Sequence, residues 1–311
     1  MDETSTAATS SSRRRRAGLL IVAMWAALLT GSTANATTAS ADDSQEQMVH
    51  LPDGDIHVVA GGAPSARAVV LLHGLAGSTA WWDQVMPELH DQYVVRIDLL
   101  GHGKSAKPDS GYSMAEQARR VGAVLDRLGV REAVVIGHST GGYVATSLAE
   151  QRHDLVTALA LIDTGPRLDA FTDNGPAGVL LSIPALGQSL WPLLPDAAIR
   201  LSLSSAFTRD VRIPDEIVAD VRGMTYRSLT ATSDASDVYL RDRREPDRLT
   251  DLALPTMVLF GSQDRRWQAA SFQDYRSVPH VRIETLDCGH TPMIEEPGAT
   301  GALIHDFVEH H

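Results

Sequence analysis

The chain has 311 residues, 43% of them hydrophobic and 21% charged. That is more than one average domain but within reach of an open α/β sheet with an insertion, and apolar enough for a sizeable core. The net charge of −12 comes with no basic stripe beyond the first turns of sequence, which excludes nucleic acid as a partner, and the single cysteine, Cys288, excludes an internal disulfide.

The basic exception comes first in the chain. Arg13 to Arg16 precede an unbroken apolar run, Ala17 to Leu29, and then GSTANA, with small residues at Ala34 and Ala36. Basic, apolar and small in that order is the pattern of a secretory signal peptide, expected to occupy residues 1–36 and to be cleaved after Ala36. A retained anchor is the competing reading. Thirteen apolar residues form a helix of only about 20 Å, however, short of a hydrocarbon core of about 30 Å. The mature form is therefore expected to be secreted or extracytoplasmic, with no stable transmembrane span. Sec and twin-arginine export both stay open, and no cysteine follows the apolar run to carry a lipid. Residues 37–46 (TTASADDSQE) are small and polar and read as a disordered linker.

From residue 47 short apolar runs alternate with helical patterns. Strands are expected at Met48–Leu51, Ile56–Ala60, Ala68–His73, Tyr93–Asp98, Ala133–Gly137, Thr157–Asp163, Pro255–Gly261 and Val281–Leu286, and helices at Ser113–Leu128, Thr140–Gln151 and Ala269–Ser277. Val69 to Leu72 and Val134 to Ile136 are continuously apolar, as in strands buried on both faces of a parallel sheet. The expected fold class is α/β, a doubly wound, mostly parallel sheet over residues 47–311. Its rhythm breaks between Pro166 and Pro255, where proline-separated helical segments make a helical cap at about 166–250 the simplest account.

Chemistry concentrates where strands end. Gly137-His138-Ser139-Thr140-Gly141 fits G-x-S-x-G, in which a serine occupies a strained strand-to-helix turn and the flanking glycines allow strand and helix to approach. Taken alone, it also fits a glycine-rich turn with a helix-capping serine. His73-Gly74 ends another strand, and there the backbone N–H of Leu75 can pair with that of Thr140 to hold a developing oxyanion. Asp264 and His290 lie just beyond the next two buried strands, giving the order Ser, Asp, His.

Together these segments resemble the α/β-hydrolase family in its capped form. The matching motifs are His73-Gly74, Asp98-x-x-Gly101-x-Gly103-x-Ser105, GHSTGG, Gly261-x-x-Asp264 and Gly289-His290-x-Pro292. The resemblance implies the α/β-hydrolase fold, Ser139 as nucleophile, Asp264 as acid and His290 as base, with His73 bracing the oxyanion loop and no cofactor. Serine rather than aspartate at the elbow disfavours the haloalkane dehalogenases and epoxide hydrolases of this family. Carboxylesterases and lipases, carbon–carbon bond hydrolases, cofactor-free perhydrolases and aminopeptidases remain.

Other assignments are weaker. GHGKS at 101–105 lacks the first glycine of a phosphate loop, having Asp98 there. Asp163 is the alternative acid, weighed against a structural role at the turn into the cap, and Asp287 lies too near His290 on a tight loop to face it. His73 and His138 have no H-x-x-x-H or carboxylate pattern for a metal. Cys288 reads as a packing residue rather than a reactive thiol. Leu180, Leu181, Ile183, Leu186, Leu190, Trp191, Leu193 and Leu194 form an apolar stripe expected to be cap core and in part an acyl pocket. The partner expected is a small, apolar ester. A receptor-like protein that keeps the pocket with little turnover is the alternative of another class. Oligomeric state and the ester's acyl and alcohol groups are left open by the sequence.

Overall fold

A computed structural model describes residues 44–172, 183–268 and 270–311. Residues 1–36, expected to be a signal peptide, and residues 37–43 of the tract read as linker lie outside the described residues. Within the described residues no helix is long and apolar enough to cross a membrane.

Eight strands form one sheet: β1 Gln45–Val49, β2 Ile56–Gly61, β3 Arg67–Leu72, β4 Val94–Ile97, β5 Glu132–His138, β6 Val156–Ile162, β7 Thr256–Gly261 and β8 Arg282–Leu286. The spatial order is β1-β2-β4-β3-β5-β6-β7-β8. Pairing is parallel from β4 through β8, and antiparallel for β1 with β2 and for β2 with β4. All eight expected strands are present. The first begins earlier than expected, because Gln45 and Glu46, at the end of the tract read as linker, pair with Ala60 and Val59. As an edge strand β1 leaves Gln45 to Met48 exposed, and Glu46 there accepts hydrogen bonds from His57 Nε2 at 2.9 Å and Lys104 Nζ at 2.6 Å. A stretch of edge strand exposed on both faces tolerates a composition that resembles a linker.

Side-chain alternation divides the central strands between two cores. Val70, Leu72, Val135, Leu159 and Leu161 face one side, where they meet Val121, Val124 and Leu125 of α1 (Met114–Arg127) and Tyr143, Val144 and Leu148 of α2 (Thr140–Gln151). Val69, Leu71, Val134, Ile136, Ala158 and Ala160 face the other, against Trp82, Val85 and Leu89 and the C-terminal helix Pro297–Glu309. A strand buried on both sides has no polar period, which explains the continuous apolar runs. A capping box fixes the start of α1, in which Ser113 Oγ accepts from Glu116 N and Glu116 Oε2 accepts from Ser113 N, both at 3.3 Å.

Between β6 and β7 the described chain is helical and contains no named strand: Pro184–Leu190, Asp196–Ser204, Asp215–Gly223, Tyr226–Asp242 and Glu245–Leu252. The apolar stripe assigned to this region is not cap core. Leu180 and Leu181 lie outside the described residues. Ile183, Leu186 and Leu193 are 50%, 39% and 75% exposed, while Trp191 and Leu194 are half-buried against the second core. Pro184 and Pro192 divide the stripe into short helical pieces, so no continuous face is presented for burial. The helix expected at Ala269–Ser277 is a 3₁₀ segment, Ser271–Ser277, and a further 3₁₀ stretch, Thr79–Leu89, has Pro87 inside it and no helical signature in sequence.

Candidate active site

β5 runs directly into α2 through Ser139, which takes φ 50° and ψ −121°. A non-glycine residue with positive φ persists only where its surroundings enforce it. Here a Cβ on Gly137 would strike the Gly141 carbonyl, one on Gly141 the Leu72 and His73 carbonyls, and one on Gly142 the Thr164 side chain. Three glycines thus let strand, helix and the β6 end close around the turn. Ser139 N donates to Ile162 O at 2.8 Å, and Thr164 Oγ1 donates to Ser139 O at 3.1 Å. The serine does not cap α2, because its side chain makes no capping hydrogen bond.

Instead, its hydroxyl faces the histidine. Ser139 Oγ lies 3.1 Å from His290 Nε2, and His290 Nδ1 lies 2.9 Å from Asp264 Oδ2. With Nδ1 protonated toward the carboxylate, Nε2 is the acceptor for the serine proton. Asp264 Oδ1 accepts from Arg266 N at 2.7 Å and Trp267 N at 3.4 Å. Burial works against the charge of Asp264, but the neighbouring His290 ring, which donates to it, and the Arg266 N–H hold its carboxyl below the ordinary range. Residues 69–303 match the model of the alpha/beta hydrolase family. The chain belongs to the alpha/beta hydrolase family.

Its relatives are varied. This alpha/beta hydrolase is 28% identical over 282 residues to a candidate 2-succinyl-6-hydroxy-2,4-cyclohexadiene-1-carboxylate synthase of Bacillus subtilis (strain 168), covering 84% of this chain and 97% of that one. It is 38% identical over 129 residues to a soluble epoxide hydrolase of Corynebacterium sp. (strain C12), 41% and 44% of the two chains. Among solved structures it is similar to a membrane phospholipase A described as a bacterial virulence factor, with a TM-score of 0.67 and 26% identity over 86% of each chain.

The loop after β3, expected from sequence to hold the oxyanion, lies against the elbow: a Cβ on Gly74 would be 3.0 Å from Ser139 Cβ. Thr140 is the first residue of α2, and among the described residues neither its N–H nor that of Leu75 has an acceptor. His73 is fully buried, with Nδ1 donating to Gly74 O at 2.8 Å and Nε2 accepting from Leu99 N at 3.0 Å. Burial lowers its pKa, so the ring is a neutral brace between the loop and the end of β4.

The glycine-and-serine motif after β4 serves the scaffold. Asp98 accepts from His57 Nδ1 and Thr79 N at 2.7 Å each and from Lys104 N at 2.9 Å. Burial opposes its charge, yet these donors, His57 foremost, pull its pKa down to about 2. Gly103, at φ 45°, leaves no room for a Cβ beside that carboxylate, and Ser105 Oγ donates to Asp98 O at 2.6 Å.

Three contributors escaped the sequence. His138 Nε2 donates to the His290 carbonyl at 2.8 Å, and its ring packs 5.0 Å from that of His290. Burial, then the neighbouring His290, hold His138 at about 3 and hence neutral. Glu295 accepts from Gly289 N at 2.9 Å and Thr208 N at 2.8 Å, tying the histidine loop to the cap. Ser236, on the helix Tyr226–Asp242, lies 3.3 Å from Thr140 Oγ1. The motif marks position 138, but nothing local marks the contact of Glu295 with Thr208, 87 residues away, or that of Ser236 with Thr140, 96 residues away.

The remaining candidates are separated by position. Asp287 accepts from Gln263 Nε2 at 2.6 Å, away from His290. Asp163 does not cap the turn into the cap; its Oδ1 accepts from Gly261 N at 2.9 Å, beside Asp264. Cys288 is free and fully buried, and burial pushes its thiol pKa up, which removes thiolate chemistry. Among the described residues two trios bring metal-ligand atoms together: Asp163, Asp264 and His290, engaged as above, and the surface group Asp91, His305 and Glu309.

Proposed function

We propose that the protein is an exported serine hydrolase that cleaves a carboxylic ester through an acyl-serine intermediate. The observation that carries this reading is the unbroken chain from Ser139 Oγ to His290 to Asp264, at 3.1 and 2.9 Å, on a turn where the serine has no other task. His290 takes the serine proton as the oxygen attacks the acyl carbon, and Asp264 holds the imidazole in the tautomer that can accept it. The tetrahedral oxyanion rests on the N–H groups of Leu75 and Thr140, at the positive end of α2. His290 then gives its proton to the leaving alcohol, and water hydrolyses the acyl-serine by the same route.

Among the relatives, the neighbour described as a phospholipase A supports ester chemistry, and the serine at the elbow separates this chain from aspartate-dependent epoxide opening. The apolar composition of the cap segment 183–194 is what supports an apolar acyl or alcohol group. The test is a panel of p-nitrophenyl esters of graded chain length, with a fluorophosphonate probe. Turnover lost in Ser139→Ala, and labelling confined to Ser139, are expected. A folded protein that neither labels nor turns over esters would favour the receptor-like alternative.

A further inference from the structure

Asp163 has every attribute of a working residue and no place in the scheme above. It is fully buried, takes a left-handed φ of 44°, and ends β6 as Asp264 follows β7, the neighbouring strand. One atom from each of Asp163, Asp264 and His290 lies within 4.8 Å of the other two. Gly261 N binds Asp163 Oδ1, while Oδ2 has no N–H or O–H donor. Two carboxylates this close and this far from water do not both ionise.

The order of ionisation follows from the surroundings. Asp264 faces the His290 ring and two backbone N–H groups, all of which favour charge. Asp163 has one N–H; the other titratable groups around it are Asp264, Glu295 and the buried, neutral thiol of Cys288. Asp163 therefore keeps its proton, and Asp264 is the acceptor within reach. We infer that protonated Asp163 donates a hydrogen bond to Asp264 and positions that carboxylate for His290, as a positioning residue acting through the acid rather than as a substitute acid. Burial, then the charge of Asp264, raise its pKa well above the ordinary carboxyl range, in keeping with this geometry. The strained backbone is intelligible in the same terms, because it turns the side chain away from the cap and toward β7.

This inference rests on the serine-hydrolase reading, so its test includes a readout that needs no turnover. Asp163→Asn keeps an N–H to give to Asp264 and an oxygen for Gly261 N. Asp163→Leu keeps the volume and gives nothing. With both variants shown to be folded by circular dichroism, Asp163→Asn is expected to stay within a few-fold of the wild-type kcat. Asp163→Leu should lose about 10²-fold in kcat with little change in KM, the scale expected when a reacting group is misplaced. The acid limb of its kcat/KM profile should also move to higher pH, because a carboxylate relieved of a donor stabilises the imidazolium more. In the resting protein, the low-field proton NMR signal of His290 Nδ1–H should shift in Asp163→Leu and stay in place in Asp163→Asn. Equal inactivity of the two variants would mean that a carboxylate is required at 163, and an Asp163→Leu protein with the wild-type pH profile and NMR signal would mean that the role is structural; either overturns the inference. Absence of turnover in the wild type would refute the hydrolase reading alone and leave the NMR comparison to decide this one.

Discussion

Ser139 shows how far one residue's conformation can be read as function. A helix-capping serine would spend its hydroxyl on the first turn of α2; this one, at φ 50°, leaves that turn uncapped and faces a histidine. The strain is enforced by glycines, so Gly141→Ala, whose Cβ would press on the Leu72 and His73 carbonyls, should either destabilise the fold or dislodge the elbow. Lower Tm together with lost fluorophosphonate labelling is the expected outcome, and a variant with normal values of both would show that the turn has slack. Asp264→Asn should stay folded and lose about 10⁴-fold in kcat, because the amide no longer selects the tautomer of His290. Ser139, Asp264 and His290 were legible in sequence because each stands in a short motif at a strand end. The orientation of Asp163 and the tie of Glu295 to Thr208 were not, since each depends on a partner brought near only by the fold.

At the scale of elements, legibility tracked burial. Strands covered on both faces, such as β3 and β5, announce themselves as apolar runs, whereas edge strand β1 resembles a linker and the 3₁₀ stretch at 79–89 resembles nothing regular. The cap helices were placed only as a group, because prolines split them and packing rather than periodicity decides their faces. One of these helices, Glu245–Leu252, carries a testable charge. Glu245 is fully buried at its first turn, where its carboxyl accepts from Thr146 Oγ1 of α2. Burial pushes its pKa up from an ordinary 4.5 to about 8. Folding therefore takes up a proton between those values, so this contribution is complete below about pH 4.5, is lost as pH rises through about 8, and is flat above. Glu245→Gln keeps the acceptor and removes the titration. Its stability relative to wild type should grow between pH 5 and pH 9, by on the order of a few kcal/mol. A constant difference in urea midpoints across that range would show that Glu245 does not change charge on folding.

For the whole molecule, the question is what surrounds the fold in the cell. Two buried cores and no disulfide mean that the described domain is held by packing, and Cys288 lies too deep to form a bridge without unfolding. Reductant is accordingly expected to leave Tm unchanged. The proposed signal peptide makes a sharper claim. Cleavage after Ala36 places the new terminus at Thr37, eight residues ahead of Gln45, where β1 begins and pairs with β2 along the sheet edge. The cut would thus fall ahead of the first strand, and the edge pairing of β1 with β2 would survive it. Intact mass measurement of extracytoplasmic protein should give a chain beginning near Thr37. A mature protein that retains Met1 or Asp2 and sediments with membranes would instead make Ala17 to Leu29 an anchor, and would place ester hydrolysis at the membrane surface rather than in free solution.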